Sequence, residues 1–388
     1  MRKILYIWKG PYPFEVRIEK ICNSLVKFGY DVTILCRWCQ NTSMREEWGK
    51  LHIIRAGYQE SNRKYVYLPF NPNWKRIISE TIDEVKPDLI INREFYLLTE
   101  TLDCANRKKI PVIVDMAENY PAALREFRNS QTFLKQLLFR TLRLPDLYEK
   151  YCIPKANGVI VVCDEQIPRL RSIGVKEKIC VVQNTPVLNF QRITEKSKSN
   201  VLRFVHHGYL SGDKSILEFV KGFLAAAENR EDIELIIAGK GECYDLYKSV
   251  IEQSKAPKSV KLLGSYENSQ LPKILANADI GVLPFKATDF NNFTIQNKIF
   301  DYFAAGLPVL VSECKPLMRI IRETNAGWIY DCSSANNCRK AIETTAKIFT
   351  AENKSEIKYK ENALNAYKSK YNWATDEKNL VEFINLYI

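Results

Sequence analysis

The chain contains 388 residues, of which 46% are hydrophobic and 26% are charged, and its formal net charge is +12 at pH 7. This length suits two domains that each bury a core, and the composition is that of a soluble globular protein. No stretch approaches the roughly 20 apolar residues of a membrane-spanning helix, and the opening apolar run is too short for a signal peptide. We therefore expect a cytoplasmic protein, which could also lie at the inner face of the cell membrane.

The first half of the chain alternates short apolar runs with longer amphipathic patterns. This alternation is typical of parallel sheets wound with helices. The predicted strands of this half are 3–8, 32–36, 51–55, 89–92, 112–115 and 158–163. The sequence therefore predicts a doubly wound α/β domain over residues 1–187.

The densest basic stretch of this half is 125–155. It interleaves Arg125, Arg128, Lys135, Arg140 and Arg143 with apolar and aromatic residues. Such a stretch suits contact with an anionic membrane, and the same pattern also suits an ordinary helix packed on its domain. Nucleic acid binding is not expected, because no helix-turn-helix, RRM or zinc-finger pattern accompanies the charge.

Eleven cysteines are scattered without a repeating spacing. An odd number in a chain without an export signal indicates reduced thiols. Cys36 and Cys39 form a single CxxC pair, which we interpret as an incidental strand end because no second pair accompanies it. No metal site is predicted.

A polar stretch at 194–200 marks a linker, after which a second series of strands begins. We predict a second doubly wound domain over 188–370, a terminal helix over 371–388, and a ligand cleft between the domains at the carboxyl ends of the strands. His206 and His207 end the first strand of this domain, so at most one of them should face the cleft. The predicted strands are 203–207, 234–238, 260–263, 280–284, 308–311 and 327–330.

Residues 297–311 predict a short helix followed by a buried strand. Thr294 can cap the helix, and Gly306 can adopt a positive φ just past its end. Ile299, Phe300 and Phe303 share a core face, whereas Asn297 and Asp301 share the other face, beside Lys298. A helix start with free N–H groups, an ammonium and a carboxylate suits a nucleoside diphosphate and its ribose.

This segment resembles the donor site of glycosyltransferase family 4, the group 1 glycosyltransferases, which are retaining enzymes of the GT-B fold that use nucleotide sugars. Residues 301–306 correspond to the second half of the family pattern, Glu-x7-Glu-Ala-Met-Ala-Ala-Gly. The resemblance assigns Asp301 to the ribose hydroxyls and Lys298 to a phosphate. The first Glu of the pattern falls on Phe293. A subgroup that reads Asn-Lys-Leu-Phe-Glu-Tyr is similar to this chain at 297–302.

The resemblance extends to the loops that follow the strands of the second domain. Residues 208–214 resemble the Gly-Arg-Leu…Lys-Gly segment, with Tyr209 in place of the arginine. Gly239 and Gly241 resemble the Gly-x-Gly turn, where small residues let the backbone approach the donor. The implied donor-binding residues are Gly208, Lys214, Gly239, Gly241, Thr294, Asn297, Lys298 and Asp301.

In the first domain the resemblance implies acceptor contacts at Gly10, in the loop after the first strand, and at Arg17. Arg17 could instead belong to an exposed, ion-paired helix start. Glu118 or Asp115 would orient the acceptor, or would cap a helix. Ala117 stands where many family members have a histidine, so histidine acid–base catalysis is not expected. The resemblance also implies that the terminal helix returns to the first domain.

The sequence therefore predicts a retaining glycosyltransferase that moves a sugar from a UDP- or GDP-type nucleotide sugar to a glycan or polyprenyl-linked acceptor in surface polysaccharide synthesis. No cofactor or metal is expected, because cationic side chains can stabilise the diphosphate. Two alternatives remain open. One is a nucleotide-sugar epimerase of the same fold. The other is a non-catalytic relative that binds a nucleotide sugar or a partner, suggested by Tyr209, Phe293 and Ala117.

Overall fold

The computed structural model describes residues 1–13, 15–57, 70–126, 136–187, 201–210, 214–351 and 353–388. The chain forms two compact units. The first consists of Met1–Asn184 with Asp376–Ile388, and the second consists of Thr185–Thr375. The predicted domain ends were 187 and 370, and the unit boundaries lie after Asn184 and after Thr375. The predicted linker at 194–200 lies outside the described residues.

The first unit is built on an eight-stranded sheet in the order β3-β4-β2-β1-β5-β6-β7-β8. Every neighbouring pair is parallel except β3 and β4, which are antiparallel. The strands are β1 Lys3–Pro11, β2 Asp31–Arg37, β3 Arg45–Trp48, β4 Leu51–Ala56, β5 Leu89–Arg93, β6 Val112–Met116, β7 Gly158–Val161 and β8 Lys178–Val181.

Six described helices accompany this sheet, α1 Val16–Lys27, α2 Pro72–Val85, α3 Leu98–Asn106, α4 Tyr120–Glu126, α5 Leu144–Cys152 and α6 Gln166–Ser172. A π-helical turn, Leu137–Thr141, precedes α5, and a 3-10 turn, Ile153–Lys155, follows it. Helix α2 shows why such a segment starts where it does, because the Asn71 side chain accepts hydrogen bonds from the N–H groups of Asn73 and Trp74. A proline at the first helical position adds to this cap, since its missing N–H would be unpaired there anyway.

The second unit contains a six-stranded parallel sheet in the order β11-β10-β9-β12-β13-β14. Its strands are β9 Leu202–His207, β10 Ile233–Ala238, β11 Val260–Gly264, β12 Ile280–Leu283, β13 Val309–Ser312 and β14 Gly327–Tyr330. Its helices are α7 Lys214–Ala227, α8 Tyr244–Glu252, α9 Leu271–Ala276, α10 Lys298–Ala304, α11 Lys315–Thr324, α12 Ala335–Ala351 and α13 Asn353–Ser369. Short 3-10 turns occur at Pro257–Ser259, Asn268–Gln270 and Asn291–Phe293.

All twelve predicted strands are present. Most of them are apolar runs buried on both faces, as in β5, β6, β7, β12 and β13, whereas β11 alternates between buried and exposed residues. Strands β3 and β8 were not predicted. Strand β3 reads Arg-Glu-Glu-Trp and is largely exposed, and β8 is only partly buried. Both lie at the edges of the sheet, where at least one face of the strand is exposed to solvent. Their sequences therefore lack the run of apolar residues that predicts a strand.

The last helix, α14 Trp373–Ile384, begins in the second unit and ends in the first. Its Glu377 carboxylate accepts hydrogen bonds from the Ser24 hydroxyl at 2.8 Å and the Lys27 ammonium at 2.6 Å. Beyond the helix, the Tyr387 hydroxyl donates to the Asn157 carbonyl at 2.9 Å. Residues at the end of the chain therefore pack on α1 and beside β7. No helix within the described ranges is long and apolar enough to cross a membrane.

Candidate functional site

Helix α10 is fixed to the sheet of the second unit by its apolar face. Ile299, Phe300 and Phe303 are fully buried, as predicted. The Tyr302 hydroxyl donates to the Val205 carbonyl at 3.1 Å. Gly306 has φ of 71° and the Leu307 N–H bonds to the Tyr302 carbonyl at 2.8 Å, so the helix ends in the expected left-handed glycine turn.

The start of α10 differs from the prediction at Thr294. The cap position is Asn297, which has helical backbone angles and makes no side-chain capping bond. Thr294 lies three residues earlier in extended conformation and is buried. Its hydroxyl oxygen has no hydrogen-bond partner among the described residues. The prediction that Thr294 caps the helix is therefore wrong, because the chain reaches Asn297 before it turns into the helix.

The Lys298 side chain crosses over Gly208, the residue that directly follows β9. A Cβ atom at Gly208 would lie 2.6 Å from Lys298 Cε, so a side chain there would displace the end of the lysine. Gly208 also has φ of 102°, which favours glycine. The ammonium lies 5.6 Å from the centre of the Phe285 ring. Burial lowers the pKa of Lys298, and the Asp301 carboxylate one turn later opposes that shift.

His206 and His207 flank this lysine and are both buried. His206 Nδ1 lies 3.0 Å from the Val282 carbonyl, so Nδ1 carries the hydrogen and Nε2 holds a lone pair. His207 Nδ1 lies 3.0 Å from the Tyr266 hydroxyl, and its Nε2 lies 3.8 Å from Asp301 Oδ2. Burial, reinforced by Lys298, lowers the pKa of His206 to about 4 and that of His207 well below its usual value. Both histidines are therefore neutral near pH 7.

Gly239 and Gly241 allow close contact with another part of the protein backbone, the loop that follows β9. A Cβ atom on Gly239 would collide with the Gly208 carbonyl oxygen, and one on Gly241 would collide with the Leu210 carbonyl oxygen. The Gly239 N–H donates to the Gly264 carbonyl at 2.7 Å. The loops after β9, β10 and β11 are thus stacked through glycine. This packing accounts for glycine at both positions, and their contact with a donor stays a prediction.

Two donor-site predictions fall at the start of α7. Lys214 is the first residue of that helix, but its side chain lies outside the described residues, as do residues 211–213. Tyr209, at the position of the family arginine, is 65% exposed. Of the two lysines predicted to contact the phosphates, Lys298 is therefore the one whose side chain the structure describes.

In the first unit, Asp115 and Arg17 form a buried ion pair. Arg17 Nη2 lies 2.6 Å from Asp115 Oδ1, and Arg93 Nη1 lies 3.0 Å from Oδ2. The Tyr6 hydroxyl donates to Oδ2 at 2.7 Å. Burial alone would raise the pKa of Asp115, but Arg17 and Arg93 outweigh it and lower the pKa to about 2. The carboxylate is fully enclosed by its own partners.

This pairing corrects two predictions from the sequence. Arg17 also donates to the Val182 carbonyl at 2.9 Å and is 1% exposed, so it does not reach an acceptor. Asp115 likewise has no oxygen available to orient one. Together they tie α1 to the end of β6. Gly10 is also buried, and a Cβ there would lie 2.5 Å from the Trp8 indole. Its contact with an acceptor stays a prediction.

Glu118 has a different environment from Asp115. It makes no hydrogen bond and no ion pair with any other residue in the described ranges. Burial, with a further contribution from the Glu94 carboxylate, raises its pKa to about 7. A carboxyl group with that pKa can accept or donate a hydrogen bond near neutral pH. Of the two carboxylates predicted here, Glu118 is the one that is available to a ligand.

The structure adds neighbours of Glu118 that were not predicted. Glu94 follows β5 as Glu118 follows β6, and the two strands are adjacent. The Tyr120 hydroxyl donates to Glu94. Lys9, near the end of β1, places its ammonium 2.9 Å from the centre of the Tyr96 ring. Lys9, Glu94 and Glu118 share one feature that could have identified them from the sequence. Each is a charged residue at or just after the end of a buried parallel strand, where ligand sites form in α/β folds.

Two family models together match most of the chain. The model described as Glycosyltransferase Family 4 matches residues 14–185, and the model described as Glycosyl transferases group 1 matches residues 202–347. The chain belongs to the group 1 glycosyltransferases. This confirms the resemblance identified in the sequence.

This glycosyltransferase is 28% identical over 185 residues to an uncharacterised glycosyltransferase of Methanocaldococcus jannaschii. That match covers 41% of the chain and 45% of the relative, so it spans less than half of the relative's length. Among solved structures, sucrose-phosphate synthase of Thermosynechococcus elongatus aligns over 100% of this chain and 99% of its own, with a TM-score of 0.74 and 14% identity.

Two further solved structures are similar to this glycosyltransferase. The Anabaena protein HepE, in complex with UDP, aligns over 100% of both chains with a TM-score of 0.68 and 12% identity. WaaG, a glycosyltransferase involved in lipopolysaccharide biosynthesis, covers 97% of this chain and 98% of its own, with a TM-score of 0.66 and 14% identity. The fold is therefore that of the GT-B glycosyltransferases, with two Rossmann-like α/β units.

Proposed function

We propose that this glycosyltransferase moves a sugar from a nucleoside diphosphate sugar to a hydroxyl of a glycan or lipid-linked glycan, with retention of configuration, in surface polysaccharide synthesis. The observation that carries the proposal is the position of Lys298. It is a largely buried cation at the start of α10, and its side chain crosses over Gly208, which directly follows the carboxyl end of β9. Asp301 lies one turn further along α10. Ligands of parallel α/β sheets bind at that end of the strands.

Lys298 is suited to a diphosphate because burial disfavours its charged form. An anionic ligand would restore the stability of the ammonium, and the ammonium would in turn stabilise negative charge that grows on the leaving group. The neutral histidines leave Lys298 as the cation of this cluster. Asp301 supplies carboxylate oxygens that can accept hydrogen bonds from the two ribose hydroxyls. The structure of HepE, which shares the fold, is a complex with UDP.

In the proposed transfer the bond between the anomeric carbon and the phosphate oxygen breaks while the acceptor oxygen bonds to the same face of that carbon. The acceptor proton passes to the departing phosphate oxygen, so atoms and charge balance without an enzymic nucleophile. Glu118 is proposed to accept a hydrogen bond from the acceptor hydroxyl and hold it in place. The absence of any partner for Glu118 among the described residues supports this role.

A membrane-linked acceptor is supported by the surface of α5. Leu144, Leu147 and Tyr151 are exposed at helical spacing on that helix, with Lys150 beside them. Arg140 and Arg143 precede the helix and are exposed as well. Apolar side chains framed by cations match the composition of a surface that docks on anionic lipid. Residues 127–135 of the predicted docking stretch lie outside the described residues.

A thermal-shift panel of UDP, GDP, ADP and CMP sugars tests the donor site. We expect one nucleotide class to raise the melting temperature of the full chain, because a ligand that binds only the folded state stabilises it by mass action. Asp301→Asn and Lys298→Gln should reduce the shift, whereas Asp245→Asn and Lys258→Gln, at exposed positions of the same unit, should leave it unchanged.

If no nucleotide sugar shifts the transition, the proposed donor site is wrong and a non-catalytic relative becomes the better interpretation. A shift that survives both Asp301→Asn and Lys298→Gln would place the donor elsewhere. Release of nucleoside diphosphate in the presence of acceptor separates transfer from binding alone.

A further inference from the structure

A histidine and a tyrosine that the proposed transfer does not use stand behind the Asp301 carboxylate. We propose that His207 and Tyr266 are positioning residues, which hold Asp301 for the two ribose hydroxyls and so set the preference of the site for ribonucleotides. This inference rests on the proposed function. It extends the donor site to the end of β9 and to the loop after β11.

These three residues belong to separate elements of the second unit. His207 is the last residue of β9, Tyr266 follows β11 by two residues, and Asp301 lies in α10. His207 Nδ1 is 3.0 Å from the Tyr266 hydroxyl, and His207 Nε2 is 3.8 Å from Asp301 Oδ2. The imidazole thus lies between a hydroxyl and a carboxylate, and one ring nitrogen faces each of them.

The chemistry of these two partners decides where the imidazole hydrogen lies. A carboxylate only accepts hydrogen bonds, whereas a tyrosine hydroxyl can donate one. Neutral His207 is therefore most stable with its hydrogen on Nε2, which faces Asp301, and with Nδ1 accepting from Tyr266. His206 holds the opposite tautomer, because its Nδ1 faces the Val282 carbonyl. Tyr266 consequently fixes the direction in which His207 presents its N–H group.

The His207 ring has little freedom to turn away from this arrangement. Its side chain is 4% exposed, and the Tyr302 ring lies nearly perpendicular to it, with 5.1 Å between the ring centres. Tyr302 is itself held by the hydrogen bond from its hydroxyl to the Val205 carbonyl. A group whose orientation is already fixed by packing can position its neighbour precisely.

Asp301 is accessible to a ligand, because its side chain is 27% exposed. The 3.8 Å contact with His207 Nε2 is longer than a hydrogen bond, so it attracts the carboxylate as a dipole and favours one orientation. A ribose carries two neighbouring hydroxyls that can donate to the two carboxylate oxygens, which requires the carboxylate to be held in a defined orientation. Without His207 or Tyr266, the ribose should lose part of this pair of hydrogen bonds.

Calorimetric titration of the full chain with UDP and GDP, each compared with its dideoxy form, tests the inference. The dideoxy form lacks both ribose hydroxyls, so the ratio of the two Kd values measures what these hydroxyls contribute. We expect the dideoxy form of the nucleotide that binds to bind the parent at least tenfold more weakly, because its hydrogen bonds to a carboxylate are lost. In Asp301→Ala the ratio should fall to about one, because no carboxylate remains.

Tyr266→Phe and His207→Leu should each lower this ratio about threefold or more and leave the Kd of the dideoxy form unchanged. His207→Gln is the conservative variant. A glutamine amide can place an N–H group where the imidazole Nε2–H lies, so this variant should keep the ratio. Tyr359→Phe is the matched control for Tyr266→Phe, because Tyr359 packs on Trp328 of the edge strand β14, and it should change neither Kd.

The inference is overturned if Tyr266→Phe and His207→Leu keep the ratio of the parent. It is also overturned if they raise the Kd of both forms equally, as a purely structural role would. Tyr266 is partly exposed, so Tyr266→Phe decides the question if His207→Leu does not fold.

The same titrations separate this inference from the proposed function. A parent that prefers the ribonucleotide, together with variants that keep the preference, would reject the positioning role alone and leave the donor site in place. If neither UDP nor GDP binds the parent, the donor site is rejected and the positioning role with it.

Discussion

Asp115 and Glu118 lie on the same strand-to-helix junction, yet the fold gives their carboxyl groups opposite environments. Two arginines surround Asp115 and hold its pKa at about 2, whereas burial near Glu94 raises the pKa of Glu118 to about 7. Both residues are carboxylates that follow the same apolar run in the sequence. The difference comes from which neighbours the tertiary structure provides.

Removal of the Asp115 charge should destabilise the first unit. We expect Asp115→Asn to lower the free energy of unfolding by about 3–5 kcal/mol, because Arg17 and Arg93 would remain buried without their counterion. Asp115 has a folded pKa below the ~3.9 of an unfolded aspartate, so its stabilisation is present above that value and is lost as pH falls toward 2. Urea unfolding at pH 7 and at pH 3 measures both effects.

Asp103→Asn provides the control for this experiment, because Asp103 pairs with Lys75 at the surface and the change should cost about 1 kcal/mol or less. A folded Asp115→Asn protein of unchanged stability that lost only turnover would return Asp115 to a catalytic role.

Glu118→Gln should change stability and turnover in opposite directions. The folded pKa of Glu118, about 7, lies above the ~4.3 of an unfolded glutamate, so ionised Glu118 weakens the fold as pH rises through this interval. We expect the variant to be more stable than the parent by about 1–3 kcal/mol at pH 8 and equal to it at pH 4. Turnover should fall, because the acceptor loses its hydrogen-bonding carboxylate.

Unfolding curves at both pH values and release of nucleoside diphosphate are the measurements for Glu118→Gln. Glu177→Gln, at an exposed position of the same unit, should alter neither quantity. Undiminished turnover in Glu118→Gln would remove this residue from the proposed mechanism.

At the scale of elements, the loops after β9, β10 and β11 are held together by backbone contacts that only glycine allows. The Gly208 N–H bonds to the Ala238 carbonyl at 2.8 Å, and the Gly239 N–H bonds to the Gly264 carbonyl at 2.7 Å. Gly208 in turn makes room for Lys298. The position of Lys298, the candidate phosphate-binding residue, therefore depends on how the loops after β9, β10 and β11 pack against one another.

Gly239→Ala tests this loop stacking. We expect a loss of about 2–4 kcal/mol in the free energy of unfolding, because the added methyl group meets the Gly208 carbonyl and φ of 148° disfavours alanine. Gly29→Ala is the matched control: its φ is 95°, but no atom lies within 4 Å of the new methyl group. It should cost about 1 kcal/mol. Equal losses in both variants would show that backbone strain, and not the collision, matters.

The exposed apolar residues of α5 form a second feature that belongs to an element. We expect Leu147→Glu to reduce flotation of the full chain with vesicles of anionic phospholipid at least fivefold, because it places a negative charge at the proposed contact. Leu246→Glu changes another exposed leucine, on α8 in the other unit, and should have no effect. Binding that is the same for both variants, or that does not weaken with added salt, would contradict docking through α5.

At the scale of the whole molecule, each unit has its own hydrophobic core and its own parallel sheet. The chain leaves the first unit after Asn184 and returns to it at Asp376. Its final helix then joins α1 through Glu377, while Tyr30 donates to Asn385 at 2.5 Å. The first unit is consequently completed only by residues from the end of the chain.

Much of this arrangement follows from local sequence. The central strands of both sheets are apolar runs, so their burial on two faces is encoded directly, whereas the edge strands β3 and β8 lack this pattern. The end of α10 was predictable from Gly306, because a positive φ after a helix is a local property. The prediction that Thr294 caps α10 was wrong because both Thr294 and Asn297 are residue types that cap helices. The sequence does not show that the chain stays extended at Thr294 and begins the helix only after Asn297.

Only the tertiary structure decided which charged residues are available to a ligand. Arg17 and Asp115 are far apart in sequence, and their ion pair exists because α1 packs beside the end of β6. The same applies to Gly239, whose close neighbour is the loop after β9. Sequence alone determined the elements and the family, because apolar periodicity and local motifs are properties of neighbouring residues. The charged contacts join residues that are distant along the chain, so they are set only when the sheets form.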